Sequence, residues 1–214
     1  MTRIHVLGGT GYAGEAVVRE AARRGHDVTS YSRTAPESPV DGVTYVHGSL
    51  LDPMFLASSV EGADVVFEAL SPRGDMAGQV EGLFDQLVKL ADDAGARLGV
   101  LGGASSLLDS EVGPRLIDLH EPAAEVLPEI MLGFTKLDVL RAAPESLDWF
   151  YLSPAQDFGA WLPQRVTGSY RTSDDVVLRD DEGASYIAAP DLALAVLDEV
   201  EQPAHHRSRF HVAL

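Results

Sequence analysis

The sequence predicts an α/β fold with a doubly wound parallel sheet, and three observations support this prediction. Short apolar runs rich in branched residues alternate with segments of helical period along most of the chain. The first run, residues 4–7, leads directly into a glycine-rich loop and then a helical pattern. The length of 214 residues suits one such unit with a sizeable core, so we expect a single domain over residues 1–214.

The elements are predicted in an order typical of such a sheet. Strands are expected at residues 4–7, 27–31, 43–46, 63–70, 97–101, 148–152 and 210–212. Helices are expected at residues 15–25, 54–60, 76–94, 129–142 and 191–201. Residues 107–127 look irregular, and residues 168–171 with 176–178 suggest a short hairpin. Strand 63–70 should neighbour the first strand and carry its tip to the ligand-binding edge.

The loop after the first strand is the most informative motif. It reads GGTGYAG at residues 8–14, with the spacing G-x-x-G-x-x-G. Gly8 can adopt the tight turn that leaves the strand. Gly11 lets the backbone approach a pyrophosphate, and Gly14 lets the helix pack closely on its strand. The free N–H groups of that helix then point at the anion. Tight turns alone also use glycine, but between a strand and a helix the motif favours dinucleotide binding.

A basic residue follows the second strand, where an NAD-binding site usually has an acidic residue on the ribose 2′-hydroxyl. That place holds Arg33, and no Asp or Glu occurs from Tyr31 to Pro36. A guanidinium suits a 2′-phosphate, so the sequence favours NADP(H) over NAD(H). The alternative is an ordinary solvated loop arginine.

Composition excludes several classes of function. The formal net charge of −17 argues against a nucleic-acid partner, which needs a basic face, and the absence of cysteine excludes disulfides and thiolate chemistry. No apolar run approaches membrane-spanning length and no signal-peptide core precedes the first strand, so we expect a cytoplasmic protein with no membrane partner. The pair His120-Glu121 lacks a histidine at residue 124, and we expect no metal.

With these segments in order, the chain resembles the atypical short-chain dehydrogenases/reductases of the small NAD(P)H-binding, NmrA-like group. The matching segments are GGTGYAG at residues 8–14, DVVFEALSPRG at 64–74, DWFYLSPA at 148–155 and APDLA at 189–193, and the resemblance covers nearly the whole length. It implies a Rossmann-type sheet with a small C-terminal cap, at about residues 155–190, on the substrate side of a cleft.

The resemblance also implies cofactor contacts from the glycine loop, from Arg33, and from the turns that follow strands 63–70 and 148–152. The candidate cofactor residues are Gly8, Thr10, Gly11, Tyr12, Ala13, Gly14, Arg33, Ser49, Leu50, Ala69, Leu70, Ser71, Lys136, Ser153, Pro154 and Ala155. The cleft would be lined on its substrate side by Ser71, Ser105, Gln156, Phe158 and Trp161. A turn role is as well supported for Ser105, and for Phe158 and Trp161 we favour core packing over a role in the cleft.

One departure from the family pattern affects the chemistry. The classical enzymes use a Tyr-x-x-x-Lys pair, in which the lysine lowers the pKa of the tyrosine. This chain has two lysines, Lys89 and Lys136, preceded at the fourth position by Asp85 and Leu132, so the pair is absent. Lys136 either reaches the nicotinamide ribose or is a solvated helix residue. The sequence assigns no catalytic residue.

Two functions from different classes remain open at this stage. The first is an NADPH-dependent reductase in which a planar small-molecule acceptor, such as a flavin, quinone or tetrapyrrole, stacks on the nicotinamide. The second is a non-catalytic, NmrA-like sensor of NADP redox state that binds a protein partner. A sugar epimerase or dehydratase is less favoured, because those enzymes use the absent tyrosine and lysine.

Overall fold

A computed structural model describes residues 1–119 and 121–214, with Asp75 described without its side chain. The pair His120-Glu121 therefore falls partly outside the described residues. The strands are β1 Arg3–Leu7, β2 Asp27–Ser32, β3 Thr44–His47, β4 Val65–Glu68, β5 Arg97–Leu101, β6 Trp149–Ser153, β7 Arg171–Ser173 and β8 Ser208–Ala213. The helices are α1 Tyr12–Arg23, α2 Pro53–Ser58, α3 Val80–Ala94, α4 Leu116–Leu119, α5 Leu127–Ala142 and α6 Ala189–Glu201.

The strands form one sheet in the order β3-β2-β1-β4-β5-β6-β8-β7, parallel except for β7. The predicted doubly wound parallel sheet is confirmed. The predicted neighbours β1 and β4 pair in parallel, with Leu7 opposite Glu68. The strand order reverses direction between β1 and β4, and such a switch point opens a crevice at the carboxyl ends of the strands.

Helices cover both faces of the sheet, which explains the nearly continuous apolar character of the strands. On one face α1 and α6 pack together through residues such as Val17, Val18 and Val196. On the other face α3 and α5 contribute Leu87 and Leu140 to a second core. Successive strand side chains point to opposite faces, so each strand supplies both cores.

Two local predictions were wrong. Strand β7 pairs antiparallel with β8, with Thr172 opposite Val212, and does not form a hairpin with residues 176–178. An isolated hairpin is marginal, whereas the edge of β8 offers a partner already fixed on the core. Residues 107–127, predicted to be irregular, contain α4, because Leu116 packs with Leu107 and Val177 in a small separate cluster.

The third predicted helix begins later than expected. The pattern predicted a helix from residue 76, but a 3-10 turn occupies Gly74–Met76 and α3 starts at Val80. Gly78 between them has a φ of 69°, which interrupts the right-handed helix. This break leaves the segment after β4 free to line the cleft.

Candidate functional site

Two cavities open side by side at the carboxyl edge of the sheet. The loop cavity, of about 290 Å³, lies among the glycine loop, the end of β2 and the turn before α2. The aromatic cavity, of about 310 Å³, lies among the turns after β5 and β6, helix α5 and the segment after residue 154. Both are lined by Ala69, Leu70, Ser71 and Arg73, which follow β4. One wall at the switch point of the sheet therefore separates the two cavities.

The glycine loop is packed too tightly for larger residues at two of its positions. Gly8 has a φ of 85°, and a Cβ there would lie 2.8 Å from the carbonyl oxygen of Ala69. A Cβ on Gly14 would lie 2.2 Å from the carbonyl oxygen of Gly8, so α1 sits directly on the loop. At Gly11 a Cβ would meet only that same oxygen, at 3.3 Å. The backbone around Gly11 is thus the accessible part of the loop.

Gly9 has a packing role that the sequence did not reveal. A Cβ on Gly9 would lie 2.3 Å from the Oγ of Ser30 and 3.1 Å from a methyl group of Val18. Gly9 therefore lets α1 and β2 approach the loop from opposite sides. The only available signal was that the motif carries one glycine more than its spacing requires.

The electrostatics of the loop cavity suit an anionic ligand. The N-cap of α1 is Gly11, with no side chain capping the helix among the described residues, so backbone N–H groups remain available there. Arg33 and Arg73 are charged lining residues, and the described lining holds no acidic residue. Cations and a helix N-terminus form a fitting environment for phosphate groups, on a chain whose net charge is −17.

Arg33 reaches this cavity from the end of β2. It is exposed and directly follows buried Ser32, whose hydroxyl donates to the carbonyl oxygen of Thr34 at 2.8 Å. Buried Tyr31 anchors the same strand end through its hydroxyl, which donates to the carbonyl oxygen of Ser58 at 3.2 Å. The Tyr31 bond therefore ties the end of β2 to the end of α2, and the Ser32 bond closes the local turn that carries Arg33.

Lys136 is buried, and the interpretation of it as a solvated helix lysine was wrong. The residue is 2% exposed, and its Nζ lies 2.8 Å from both carboxylate oxygens of Glu68, which is fully buried. The Nζ also donates to the carbonyl oxygen of Leu70 at 3.3 Å. Helix α5 turns this face to the sheet because Leu132, Leu137 and Leu140 are buried along it. Sequence reasoning missed Glu68, although a carboxylate within an apolar strand was a visible signal.

Tyr151 forms the floor of the aromatic cavity. It is fully buried on β6, its hydroxyl donates to the carbonyl oxygen of Gly133 at 2.9 Å, and it accepts from the N–H of Gly103 at 3.1 Å. Burial raises the pKa of Tyr151 to about 12. This hydroxyl connects the turn after β5 to α5. Because it already donates one hydrogen bond and accepts another, it is poorly suited to proton transfer.

The rim of the aromatic cavity combines an ion pair with an aromatic ring. Arg73 donates to Glu129 at 2.8 Å and its guanidinium lies 5.8 Å from the ring centre of Trp161. Core packing was the wrong interpretation of Trp161, which is 70% exposed. Trp161 lies two residues after Gly159, and a Cβ on Gly159 would meet the indole ring. The chain therefore folds back at this point, and the ring lies at the mouth of the aromatic cavity. Arg73 follows a serine and a proline at a strand tip, a signal that could have marked it as a site residue.

Most of the predicted site residues lie around these two cavities. The loop cavity is lined by Gly8, Thr10, Gly11, Arg33, Leu50, Ala69, Leu70 and Ser71. The aromatic cavity is lined by Ala69, Leu70, Ser71, Ser105, Lys136, Pro154, Ala155, Gln156, Phe158 and Trp161. Segments far apart in the sequence are thus brought to one edge of the sheet.

Five predicted cofactor residues are outside the described lining of either cavity: Tyr12, Ala13, Gly14, Ser49 and Ser153. The hydroxyl of Tyr12 donates to Oε1 of Gln164 at 2.5 Å and accepts from the N–H of Ala189 at 3.2 Å. Ser153 is fully buried, and its carbonyl oxygen accepts from His211 at 2.9 Å. Tyr12 therefore joins the start of α1 to Gln164 and to the start of α6.

Residues 1–119 and 121–214 contain no group of three or more His, Asp or Glu side chains placed to hold a metal ion. Across the same residues, the helices are too short or too polar to cross a membrane.

The fold is that of a dinucleotide-binding protein, and comparison with known proteins agrees. Residues 8–203 match the NAD(P)H-binding family, and the chain belongs to that family. The expected short-chain dehydrogenase/reductase fold is confirmed, since a structure of such a protein from Veillonella parvula, 18% identical, shares it with a TM-score of 0.74 over 100% of this chain and 94% of that one.

Relatives of known sequence or structure cover the whole chain. An uncharacterized protein of Bacillus subtilis, YwnB, is 34% identical over 98% of this chain and 97% of its own length. A crystal structure from Streptococcus pneumoniae, of a protein provisionally described as an NADH-flavin reductase, is 28% identical with a TM-score of 0.83 and covers 100% of this chain and 99% of that one. A Burkholderia pseudomallei structure, provisionally described as an exported protein, is 32% identical with a TM-score of 0.84 over 100% of both chains.

Proposed function

We propose that this protein is an NADPH-dependent reductase of a planar acceptor such as a flavin, a quinone or a tetrapyrrole-like ring. The observation that carries the proposal is the pair of cavities with a common wall at Ala69, Leu70 and Ser71. One cavity has the cations and glycine backbone that suit a dinucleotide, and the other has the rings that suit a flat apolar acceptor. The provisional description of the Streptococcus pneumoniae relative as an NADH-flavin reductase supports the same class.

The aromatic cavity offers surfaces for stacking and little net charge. Phe134, Phe158 and Trp161 line it, and its charged lining residues are paired, Arg73 with Glu129 and Lys136 with Glu68. Residues 155–190 would act as a small substrate-side cap, through Gln156, Phe158 and Trp161. An uncharged ring system enters such a site without leaving a buried charge unpaired.

When bound, the nicotinamide supplies a hydride to the acceptor. The residues of the chain hold the two rings in contact and exclude water from between them. Tyr151, with its raised pKa and both hydrogen bonds made, does not act as the acid. A flavin or quinone takes its proton from solvent, which reaches the mouth at exposed Arg73, Glu129 and Trp161.

The cofactor would be NADPH in preference to NADH. Arg33 lines the loop cavity at the end of β2, and the described lining there contains no carboxylate that would favour a free 2′-hydroxyl. The same arrangement would repel neither the pyrophosphate nor the additional phosphate of NADPH.

The test of the reductase is oxidation of NADPH, followed by its absorbance, with riboflavin, flavin mononucleotide, menadione and biliverdin as acceptors. We expect turnover with at least one acceptor. Trp161→Ala should raise the acceptor KM about two- to tenfold through loss of the aromatic contact and leave NADPH binding unchanged. Val166→Ala removes an exposed apolar side chain that lies outside the described lining of both cavities, and should change neither the acceptor KM nor NADPH binding.

A non-catalytic redox sensor is the second candidate, favoured by the absence of an ionisable group free to donate a proton among the described lining residues. NADPH binding without turnover of any acceptor would contradict the reductase proposal. A protein partner captured by the NADPH complex but not by the NADP⁺ complex would then support the sensor.

A further inference from the structure

We propose that the buried ion pair between Glu68 and Lys136 is a positioning device that fixes the wall between the two cavities and thereby sets the affinity for the nicotinamide nucleotide. The inference concerns the cleft used in the proposed function but depends only on nucleotide binding, which the family shares. Glu68 and Lys136 would act through Leu70 and its neighbours, without touching the reacting atoms.

The pair holds both polar backbone groups of one wall residue. Oε1 of Glu68 accepts from the N–H of Leu70 at 2.8 Å, and the Nζ of Lys136 donates to the carbonyl oxygen of Leu70 at 3.3 Å. Leu70 lies just beyond the last β4 residue and lines both cavities. The turn after β4 is thus clamped by side chains from β4 itself and from α5.

The clamped turn is in direct contact with the glycine loop. The N–H of Ala69 donates to the carbonyl oxygen of Leu7 at 2.9 Å, and the carbonyl oxygen of Ala69 lies 2.8 Å from where a Cβ on Gly8 would be. A shift of the turn by a few tenths of an ångström would therefore move the loop as well. The geometry of the phosphate-binding backbone depends on where this turn is held.

The ammonium group of Lys136 is directed at the wall. Its Nζ has three oxygen acceptors within hydrogen-bond distance, two on Glu68 and one on Leu70. The arrangement is that of a support for the wall.

Stability alone is a poor explanation for this pair. Removing two charges from water costs about as much as their attraction returns, and apolar residues of similar volume often replace buried ion pairs without loss. An apolar pair in the same place would fill the space beside Phe84, whose ring centre lies 5.7 Å from the Nζ of Lys136. It would not hold the N–H and carbonyl oxygen of Leu70.

The experiment compares nucleotide binding and stability in the double variant Glu68→Leu/Lys136→Met. We expect a thermal midpoint close to that of the wild type, and NADPH and NADH affinities both weakened about tenfold, as measured by nicotinamide fluorescence. Hydrogen exchange of the Leu70 amide should become faster, because cleft water replaces the carboxylate at this half-buried residue. A folded double variant with wild-type affinities would overturn the proposal.

A matched pair of single variants covers the case in which the double variant fails to fold. Glu68→Gln should weaken the binding of NADPH and of NADH about threefold, because one amide oxygen replaces two carboxylate oxygens. Glu199→Gln makes the same change in a buried carboxylate paired with Arg97 at the opposite end of the sheet, and should leave both affinities unchanged. Wild-type affinities in folded Glu68→Gln would contradict the proposal. Since binding is the readout, the result can be interpreted even if no acceptor is ever reduced.

Discussion

The two ends of the sheet arrange their charges differently. At the amino ends of the strands, cations and carboxylates lie in mutual contact. Arg97 at the start of β5 bonds Glu199 at 2.5 Å, and Arg24 at the end of α1 contacts Glu20, Asp198 and Glu201, each at 2.7 Å. Helix C-termini meet there as well, and their carbonyl groups favour these arginines.

At the carboxyl ends, the charged residues in the described lining of the loop cavity are cations. Arg33 and Arg73 line it, whereas Glu129, which pairs with Arg73, lines the aromatic cavity, and the glycine loop is packed at Gly8 and Gly14 but accessible at Gly11. The comparison teaches that a chain of net charge −17 can form a cationic site by local placement. Changes at the amino end should therefore affect stability, and changes at the carboxyl end should affect binding.

The largest expected effect is on stability, from Glu199→Ala. The substitution removes one of the two carboxylates that pair with Arg97, whose side chain is only 10% exposed, and leaves Asp148 as the remaining partner. Loss of one partner of a buried pair costs about 3–5 kcal/mol, and the remaining pair with Asp148 should keep the loss at the lower end of that range, as measured by chemical denaturation. Glu145→Ala, at an exposed acid in the turn before β6, should change the free energy of unfolding little. If folded Glu199→Ala bound NADPH more weakly than the wild type, the expectation that changes at the amino end affect only stability would be wrong.

Low pH should destabilise the protein by protonating carboxylates at the amino ends of the strands. Burial raises the pKa of Glu199, but hydrogen bonds from Arg97 and His205 outweigh it and lower the pKa below its usual 4.5, and the Arg3 guanidinium lowers the pKa of Asp64 to about 2. A carboxyl with a lowered pKa in the folded state stabilises above its unfolded pKa and loses that contribution as the pH falls through the folded value. Stability should therefore fall below about pH 4.5 and continue falling toward pH 2. Denaturation of wild type and Glu199→Gln across this range should show a shallower pH dependence in the variant, and equal slopes would exclude Glu199 as a contributor.

The next effect is on binding, from Arg33→Ala. Hydrogen bonds to charged groups contribute about 1.5–3 kcal/mol each to binding. Loss of the contact with the 2′-phosphate should therefore weaken NADPH binding about ten- to a hundredfold. NADH, which has no phosphate at that place, should be nearly unaffected, and added salt should shrink the difference. Titration of both cofactors measures this. Arg23→Ala, at an exposed arginine in the last turn of α1, is the control and should alter neither affinity. Equal losses for NADPH and NADH would mean that Arg33 does not select the phosphate.

The smallest effect should come from Arg3→Ala at the amino end. Its ion pair with Asp64 is short, but both side chains are about half exposed, so water and salt screen the attraction. We expect a thermal midpoint almost equal to that of the wild type. A loss of stability as large as that caused by Glu199→Ala would show that solvent exposure does not determine how much each ion pair at this end contributes.

Much of the architecture could be read from local sequence. The run before Gly8, the glycine spacing and the apolar periods predicted the strands and the main helices, and the pairing of β4 with β1 was expected and is confirmed. These features depend on backbone freedom and on side-chain periods of two and 3.6, which neighbouring residues determine. The binding roles of Arg33 and of the glycine loop residues remain predictions.

The sequence by itself determined that β4 lies beside β1, and it predicts the edge of the sheet at which a nucleotide would bind. Only the tertiary structure decided that Lys136 is buried against Glu68, that Trp161 stands 70% exposed at the cleft mouth, and that β7 pairs with β8. In each case the outcome depends on the group that folding brings opposite, 68 residues away for Lys136. Local patterns carry no information on such a partner, because its distance along the chain far exceeds a strand or helical period.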